Sequence, residues 1–157
     1  MERNYLRTLK AFCKFKQTNN SNLFLFIIGI DEKKEKDIRK YFTKRDLVII
    51  DKWVKHFDYV DKSVLSDMYK QCSFLLFTSK SEGYGLPVLE ALYRGKPVLA
   101  SYITSISEVV GSALHYVDPY STESIVSGLC YMSDVANKEK HIDYIKKILP
   151  ALQLRIK

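Results

Sequence analysis

The sequence predicts an α/β domain in which a parallel sheet carries helices on both faces. Short continuous apolar runs, such as Leu23 to Ile28, suit strands that are buried on both sides. Stretches of helical length and helical period separate them, the order expected of a parallel sheet. A chain of 157 residues, 46% hydrophobic and 27% charged, matches one globular domain large enough for a real core.

Tyr5 to Lys16 reads as a helix because Leu6, Leu9 and Phe12 fall on one face. The polar run Gln17 to Asn22 connects it to the apolar run Leu23 to Ile28, which ends at Gly29. Glu32 to Lys44 reads as a charged helix. Leu47 to Ile50 is a second apolar run, followed by a less regular stretch to Val60. Lys62 to Gln71 is expected to be helical and Ser73 to Phe77 to be a strand. The alternation continues through Leu86 to Arg94, Val98 to Ala100, Ile106 to Val110, Leu114 to Val117 and Thr122 to Met132. The tail from Asn137 to Lys157 is expected to be helical, interrupted near Pro150. No internal repeat, linker or low-complexity tract divides the chain. One domain over 1–157 is expected, with a core to about 135 and a helical tail over about 137–157.

Composition narrows the function classes. Nothing at the N-terminus resembles a signal peptide and no apolar run has membrane-span length, so a cytoplasmic location is expected. Cys13, Cys72 and Cys130 are isolated, which suits reduced thiols rather than a disulfide framework or zinc site. His56, His115 and His141 are equally dispersed, and no metal is expected. The net charge of +7 invites an anionic partner. Most lysines alternate with acids, however, as in Glu32 to Arg39, the pattern of a solvated helix face. A dedicated basic patch would suit peripheral contact with an anionic cytoplasmic leaflet. No aromatic-basic interleaving points to nucleic acid.

The stretch Ser79 to Ala91 concentrates the chemistry. Glu82, Gly83 and Gly85 lie between the apolar run ending at Phe77 and the helix from Leu86, and Glu90 follows about one turn into that helix. Glycines let a backbone turn sharply and approach a ligand closely. A helix start offers free N–H groups and a partial positive charge, which suits a phosphate. Helical side chains lean toward the N-terminus, so Glu90 can reach back toward the same mouth. An anion-binding turn between two hydroxyl-accepting acids would suit a sugar nucleotide. On spacing alone, a plain strand-to-helix connection remains open, with Pro87 at an early helical position and Gly95 ending the helix.

The order of the surrounding motifs resembles the nucleotide-sugar-binding half of the GT-B glycosyltransferases, specifically retaining family 4 (glycosyl transferases group 1). The two-glutamate signature stands as Glu82-Gly83-Tyr84-Gly85-Leu86-Pro87-Val88-Leu89-Glu90-Ala91. Gly95-Lys96-Pro97-Val98, Glu108-Val109-Val110-Gly111 and Tyr116-Val117-Asp118-Pro119 follow in the family's order, and Tyr59-Val60-Asp61, Leu65 and Met68-Tyr69 resemble its upstream helix. Glu2-Arg3-Asn4 resembles the piece that precedes the family's first helix, with Arg3 in a lysine position. Ser107, where a proline is usual, and Asp58, near where a glycine is usual, depart from the pattern.

The resemblance implies a Rossmann-like sheet, the C-terminal half of a GT-B fold, lacking the family's first strand and its arginine. The N-terminal acceptor-binding domain is also expected to be absent, separate or missing. A missing strand would leave an edge or gap that something must cover. By the same resemblance Glu82 is the catalytic candidate, placed beside the transferred hexose. Gly83, Tyr84, Gly85 and Leu86 would meet sugar and diphosphate, Glu90 would bind ribose hydroxyls, and Arg3 would help neutralise the diphosphate. The implied partner is a nucleoside-diphosphate sugar, with no cofactor and no metal. Three readings follow: the donor-binding half of a retaining transferase in glycan or cell-surface polysaccharide assembly, a non-catalytic nucleotide-sugar-binding subunit, or an inactive remnant of a longer enzyme.

Overall fold

The computed structural model of the chain describes residues 4–81, 84–102, 110 and 113–155, with side chains to 151. Arg3, Glu82 and Gly83 lie outside the described residues, as does most of the expected strand Ile106 to Val110. The element order is α1 (Tyr5–Thr18), β1 (Leu25–Ile28), α2 (Glu32–Arg39), α3 (Lys44–Trp53), β2 (Val54–Phe57) and α4 (Lys62–Gln71). It continues with β3 (Leu75–Phe77), α5 (Leu86–Tyr93), β4 (Val98–Ser101), β5 (His115–Val117), α6 (Thr122–Ser133) and α7 (Val135–Arg155).

All pairings among these strands are parallel. β1 pairs with β2, Leu25 opposite Val54 and Ile28 opposite Phe57. β4 lies between β3 and β5, with Leu76 opposite Leu99 and Ala100 opposite Tyr116. Successive residues of a strand face opposite ways, and the two cores show it. Leu99 and Val117 pack with Leu9, Phe12 and Phe15 of α1 and with Ile125, Leu129 and Met132 of α6. Val98 and Ala100 pack instead with Val88, Ala91 and Leu92 of α5, Tyr69 of α4 and Ile145 of α7. Helices therefore cover both faces, in agreement with the sequence-based expectation.

The ladder is interrupted in the middle. Strand pairing joins β1 to β2 and β3 to β4 to β5, with no ladder between β1 and β3 among the described residues. Between them lies an apolar cavity of about 660 Å³, walled by Leu25 and Phe26 of β1, Leu75 and Leu76 of β3, and Leu65 and Met68 of α4. The expected gap is thus internal rather than an outer edge.

Two expectations are corrected. Leu47 to Ile50 is not strand but part of α3, and β2 forms in the stretch read as irregular. The cause is a capping box: the Thr43 hydroxyl accepts from the Asp46 N–H, and the Asp46 carboxylate accepts from the Thr43 N–H. Reciprocal capping of this kind satisfies two donors and starts a helix, whatever the apolar run that follows. At the C-terminus, α7 runs through Pro150 without interruption. Ile145 is fully buried in the second core and ties the middle of that helix to the sheet. This anchoring outweighs the loss of one helical hydrogen bond at an exposed proline.

Much of the basic surface is paired locally. Lys36 with Glu32, Lys40 with Asp37, Lys70 with Asp67 and Lys146 with Asp143 are exposed pairs at helical spacing. Such pairs contribute little stability, but they fit the solvated-face reading of the charge.

Gly128 marks the closest approach of α6 to the sheet. A Cβ there would stand 2.6 Å from Leu99 Cδ1 and 2.7 Å from Val117 Cγ1. Gly128→Val is expected to lower stability by about 1–3 kcal/mol through overpacking, read as a lower urea midpoint at unchanged slope. His115 gives a pH signature. Its ring stacks on Tyr131 at 4.1 Å, and burial first, then His141, lowers its pKa from 6.5. The folded state resists protonation, so this contribution is present above the unfolded value and lost as pH falls through it. His115→Phe should keep the stacking and show a smaller loss of thermal midpoint on acidification from about pH 7 to pH 5 than the parent.

Candidate functional site

In open parallel sheets, ligands bind beyond the carboxyl ends of the strands. Here that edge gathers the first turn of α1, the segment after β3, the start of α5 and the turn after β5.

Long-range hydrogen bonds hold these pieces together. Asn4 precedes α1 but does not cap it; its amide instead donates to Pro119 O at 2.6 Å, while Arg7 Nη1 donates to the same carbonyl at 3.1 Å. Thr8 Oγ1 donates to Asn4 O at 2.7 Å and lies 2.6 Å from Thr78 Oγ1. With its proton committed to Asn4, Thr8 is the acceptor and Thr78 the donor in that buried pair. Tyr5 OH donates to Ile28 O and Gly29 O. One helical turn thus touches the ends of β1, β3 and β5.

β3 leads into Thr78 and Ser79, both buried, and then into Lys80. Ser101 Oγ, fully buried, reaches Phe77 O at 3.5 Å and ties the ends of β3 and β4. Gly85 sits before α5 at φ 63° and ψ 34°, a left-handed conformation that strongly favours glycine. Among the described residues no side chain caps α5, and its first turn holds no acid, so nothing described offsets its positive end. Pro87, near the start of the helix, has no N–H to satisfy there. Tyr84 is 83% and Leu86 61% exposed, so both project from the turn.

Glu90 is exposed on α5, beside the start of that helix. The Tyr69 hydroxyl donates to Pro87 O at 3.3 Å, with the Glu90 carboxylate close by. Burial first, then the nearby Glu90, push the Tyr69 phenol above its usual value, so it stays a protonated donor. Arg94 completes the cluster, with Nη1 donating to Glu90 O at 2.9 Å and its guanidinium 5.1 Å from the Tyr69 ring.

Two cations stand at the same edge. Arg7 and Lys80 flank the Tyr120 ring at 6.0 and 5.7 Å from its centroid. The Tyr120 N–H bonds Asp118 Oδ1, and the Asp118 N–H bonds Ser124 Oγ, which fixes the turn that carries the ring. Cys13 and Cys72 are poor nucleophiles. Burial, with Asp46 second, pushes Cys13 up to about 12, and burial also raises Cys72.

Of the residues singled out from sequence, Tyr84, Gly85, Leu86 and Glu90 lie along the turn before α5 and its first five residues, whereas Arg3, Glu82 and Gly83 lie outside the described residues. Sequence reading missed Tyr69 as the partner of Glu90, and Arg7 and Lys80 as cations near the mouth. Met68-Tyr69 had been matched as a motif without a role. Arg7 follows Arg3 by four residues in the sequence and could have been read from there as a second candidate cation. Among the described residues no group of three His, Cys, Asp or Glu is placed to hold a metal, and no helix is long and apolar enough to cross a membrane.

A family profile described as Glycosyl transferases group 1 matches residues 1–149. An O-antigen chain mannosyltransferase B from Escherichia coli is 38% identical over 73 residues, 46% of this chain and 19% of that protein. A serotype-specific mannosyltransferase, WbdA, also from Escherichia coli, is 40% identical over 58 residues, 37% of this chain and 7% of that protein. The matched stretches are thus minor parts of these curated relatives. The C-terminal domain of a group 1 glycosyl transferase (LpcC) from Francisella tularensis superposes with a TM-score of 0.77 at 20% identity, over 95% of this chain and 78% of that one. The fold agrees with a C-terminal half-domain of the GT-B type.

Thr8→Val would remove the hydroxyl between Asn4 O and Thr78 while keeping the side-chain shape. The stranded buried groups should cost about 1–3 kcal/mol, measured as a lower denaturation midpoint. Thr18→Val, at an exposed position later in the same helix, serves as the near-neutral comparison.

Proposed function

The chain belongs to the glycosyl transferases group 1 family, and from that premise we propose that it is the donor-binding half of a retaining, family 4 glycosyltransferase. It binds a nucleoside-diphosphate sugar and presents the sugar for transfer to an acceptor hydroxyl with retention of configuration. The observation that carries this reading is the start of α5 behind Gly85, uncapped and acid-free among the described residues, with Glu90 on the same helix beside Tyr69.

Each group has a role that its chemistry suits. The N-terminal end of α5 and the backbone near Gly85 and Leu86 receive the diphosphate, where the helix dipole favours negative charge. Arg7 and Lys80 add positive charge at the same edge, alongside Arg3. Glu90, beside the Tyr69 hydroxyl, accepts hydrogen bonds from the ribose hydroxyls. Glu82 contacts the hexose beside the bond that breaks. The departing diphosphate is stabilised by preorganised donors and cations, and the barrier falls through placement and charge stabilisation. The acceptor is held by a separate polypeptide part, and the whole reaction belongs to the assembled enzyme.

Mannosyltransferase relatives support a mannosyl group as the transferred sugar and polysaccharide assembly as the setting. A cytoplasmic enzyme with a peripheral membrane contact is consistent with a basic chain extending a lipid-linked glycan.

Calorimetric titration with UDP, GDP and ADP tests the reading. One nucleotide should bind saturably. A hydrogen bond to a charged group contributes about 1.5–3 kcal/mol, so Glu90→Ala should weaken binding by about tenfold or more. Tyr69→Phe should weaken it less, because the carboxylate remains and only the hydroxyl beside it is lost. A folded chain that binds none of the three would overturn the proposal.

A further inference from the structure

Three side chains from separate parts of the chain converge at the carboxyl edge. Arg7 belongs to the first turn of α1, Lys80 comes just after β3, and Tyr120 just after β5. The Arg7 guanidinium lies 6.0 Å and the Lys80 ammonium 5.7 Å from the centre of the Tyr120 ring, both within reach of a cation–π attraction. The turn that carries the ring is held from several sides. Tyr120 N–H donates to Asp118 Oδ1 at 2.8 Å, Asp118 N–H to Ser124 Oγ at 3.0 Å, and Ser121 N–H to Asp118 O at 3.2 Å. Pro119 O accepts from both Asn4 and Arg7, so Arg7 meets this turn through its backbone as well as through the ring. The segment that leads to Lys80 is tied to the same helix turn, since Thr78 Oγ1 stands 2.6 Å from Thr8 Oγ1. The motif Tyr116-Val117-Asp118-Pro119 stops one residue short of Tyr120, so the family resemblance gave this ring no role.

We propose that Tyr120 is a positioning residue for the diphosphate: its ring holds Arg7 and Lys80 at the carboxyl edge before the ligand arrives. This inference rests on the donor-site reading and names the group that prepares its cations. Lysine and arginine side chains have many rotamers, and fixing them on a phosphate costs entropy. A group that orients them beforehand lowers that cost and raises affinity. A carboxylate in this place would orient the two cations but also neutralise them. A ring face orients them and carries no net charge, so their positive charge stays available to an anion. The acid of the same turn, Asp118, has its Oδ1 engaged by the Tyr120 N–H. Two cations gathered at one ring also favour two linked phosphates over one, because each phosphate meets a charge of its own.

Calorimetric titration of the full chain with inorganic pyrophosphate and with orthophosphate tests the role without presuming a base. The Tyr120 side chain is 63% exposed, so Tyr120→Leu leaves the core intact, and an unchanged thermal midpoint checks this. The substitution should weaken pyrophosphate binding by about fivefold, the scale of losing the ring's attraction for two cations. It should also narrow the preference for pyrophosphate over orthophosphate. Tyr120→Phe keeps the ring and should recover most of the lost affinity. Equal pyrophosphate binding by the parent and Tyr120→Leu overturns the proposal, as does a parent chain that is folded and binds none. A Tyr120→Phe variant as weak as Tyr120→Leu also overturns it, since the ring would then not be the agent. A loss that falls equally on both anions overturns it in favour of a collapsed turn. The donor-site reading is judged separately, with UDP, GDP and ADP. A nucleotide that binds the parent and Tyr120→Leu equally well sinks this inference alone. Ring-dependent pyrophosphate binding by a chain that takes none of the three nucleotides sinks the donor reading instead.

Discussion

The first turn of α1 is the joint on which the rest of the structure depends. A parallel sheet normally transmits order sideways through an unbroken ladder, and here the ladder is broken between β1 and β3. What crosses the break at the carboxyl edge is a short set of hydrogen bonds: Tyr5 to the end of β1, Thr8 to Thr78 after β3, and Asn4 and Arg7 to Pro119 after β5. All four are buried or half-buried and span more than twenty residues of sequence. Their net contribution is about 1 kcal/mol each, modest beside the apolar burial of Leu9, Phe12 and Phe15. Their value lies in position, since burial has no direction and these bonds fix the loops that form the mouth.

That arrangement explains why so much of the fold was legible and where legibility ended. Apolar runs of strand length and the amphipathic period of α1 survive any context, so the alternation and the α/β class could be read directly. Leu47 to Ile50 was ambiguous because a short apolar run fits a buried strand and a buried helix equally. Thr43 and Asp46, three residues apart before it, held the deciding signal. The continuity of α7 through Pro150 was not readable, because it depends on a tertiary anchor at Ile145 that no local pattern announces.

The candidate site divides along the same line. Gly85, Leu86 and Glu90 lie together because they are close in sequence and joined by one turn and one helix, which spacing can convey. Tyr69 is brought to Glu90 from another helix, and Thr8 meets Thr78 from seventy residues away. Such pairings exist only after packing. A carboxylate on an exposed helix face would sample several rotamers. The Tyr69 hydroxyl, kept protonated by its raised pKa, places a donor beside that carboxylate before any ligand arrives.

The break in the sheet and the mouth are not independent features. α1 begins beside the carboxyl ends of β1 and β3, and its first turn also carries Arg7 and the bonds to Thr78 and Pro119. With no ladder between β1 and β3 among the described residues, that turn fixes the ends of the two strands relative to one another. Groups already ordered lose less entropy when a ligand binds. The bonds that hold the turn across the break therefore also prepare the edge where Arg7 and Lys80 stand.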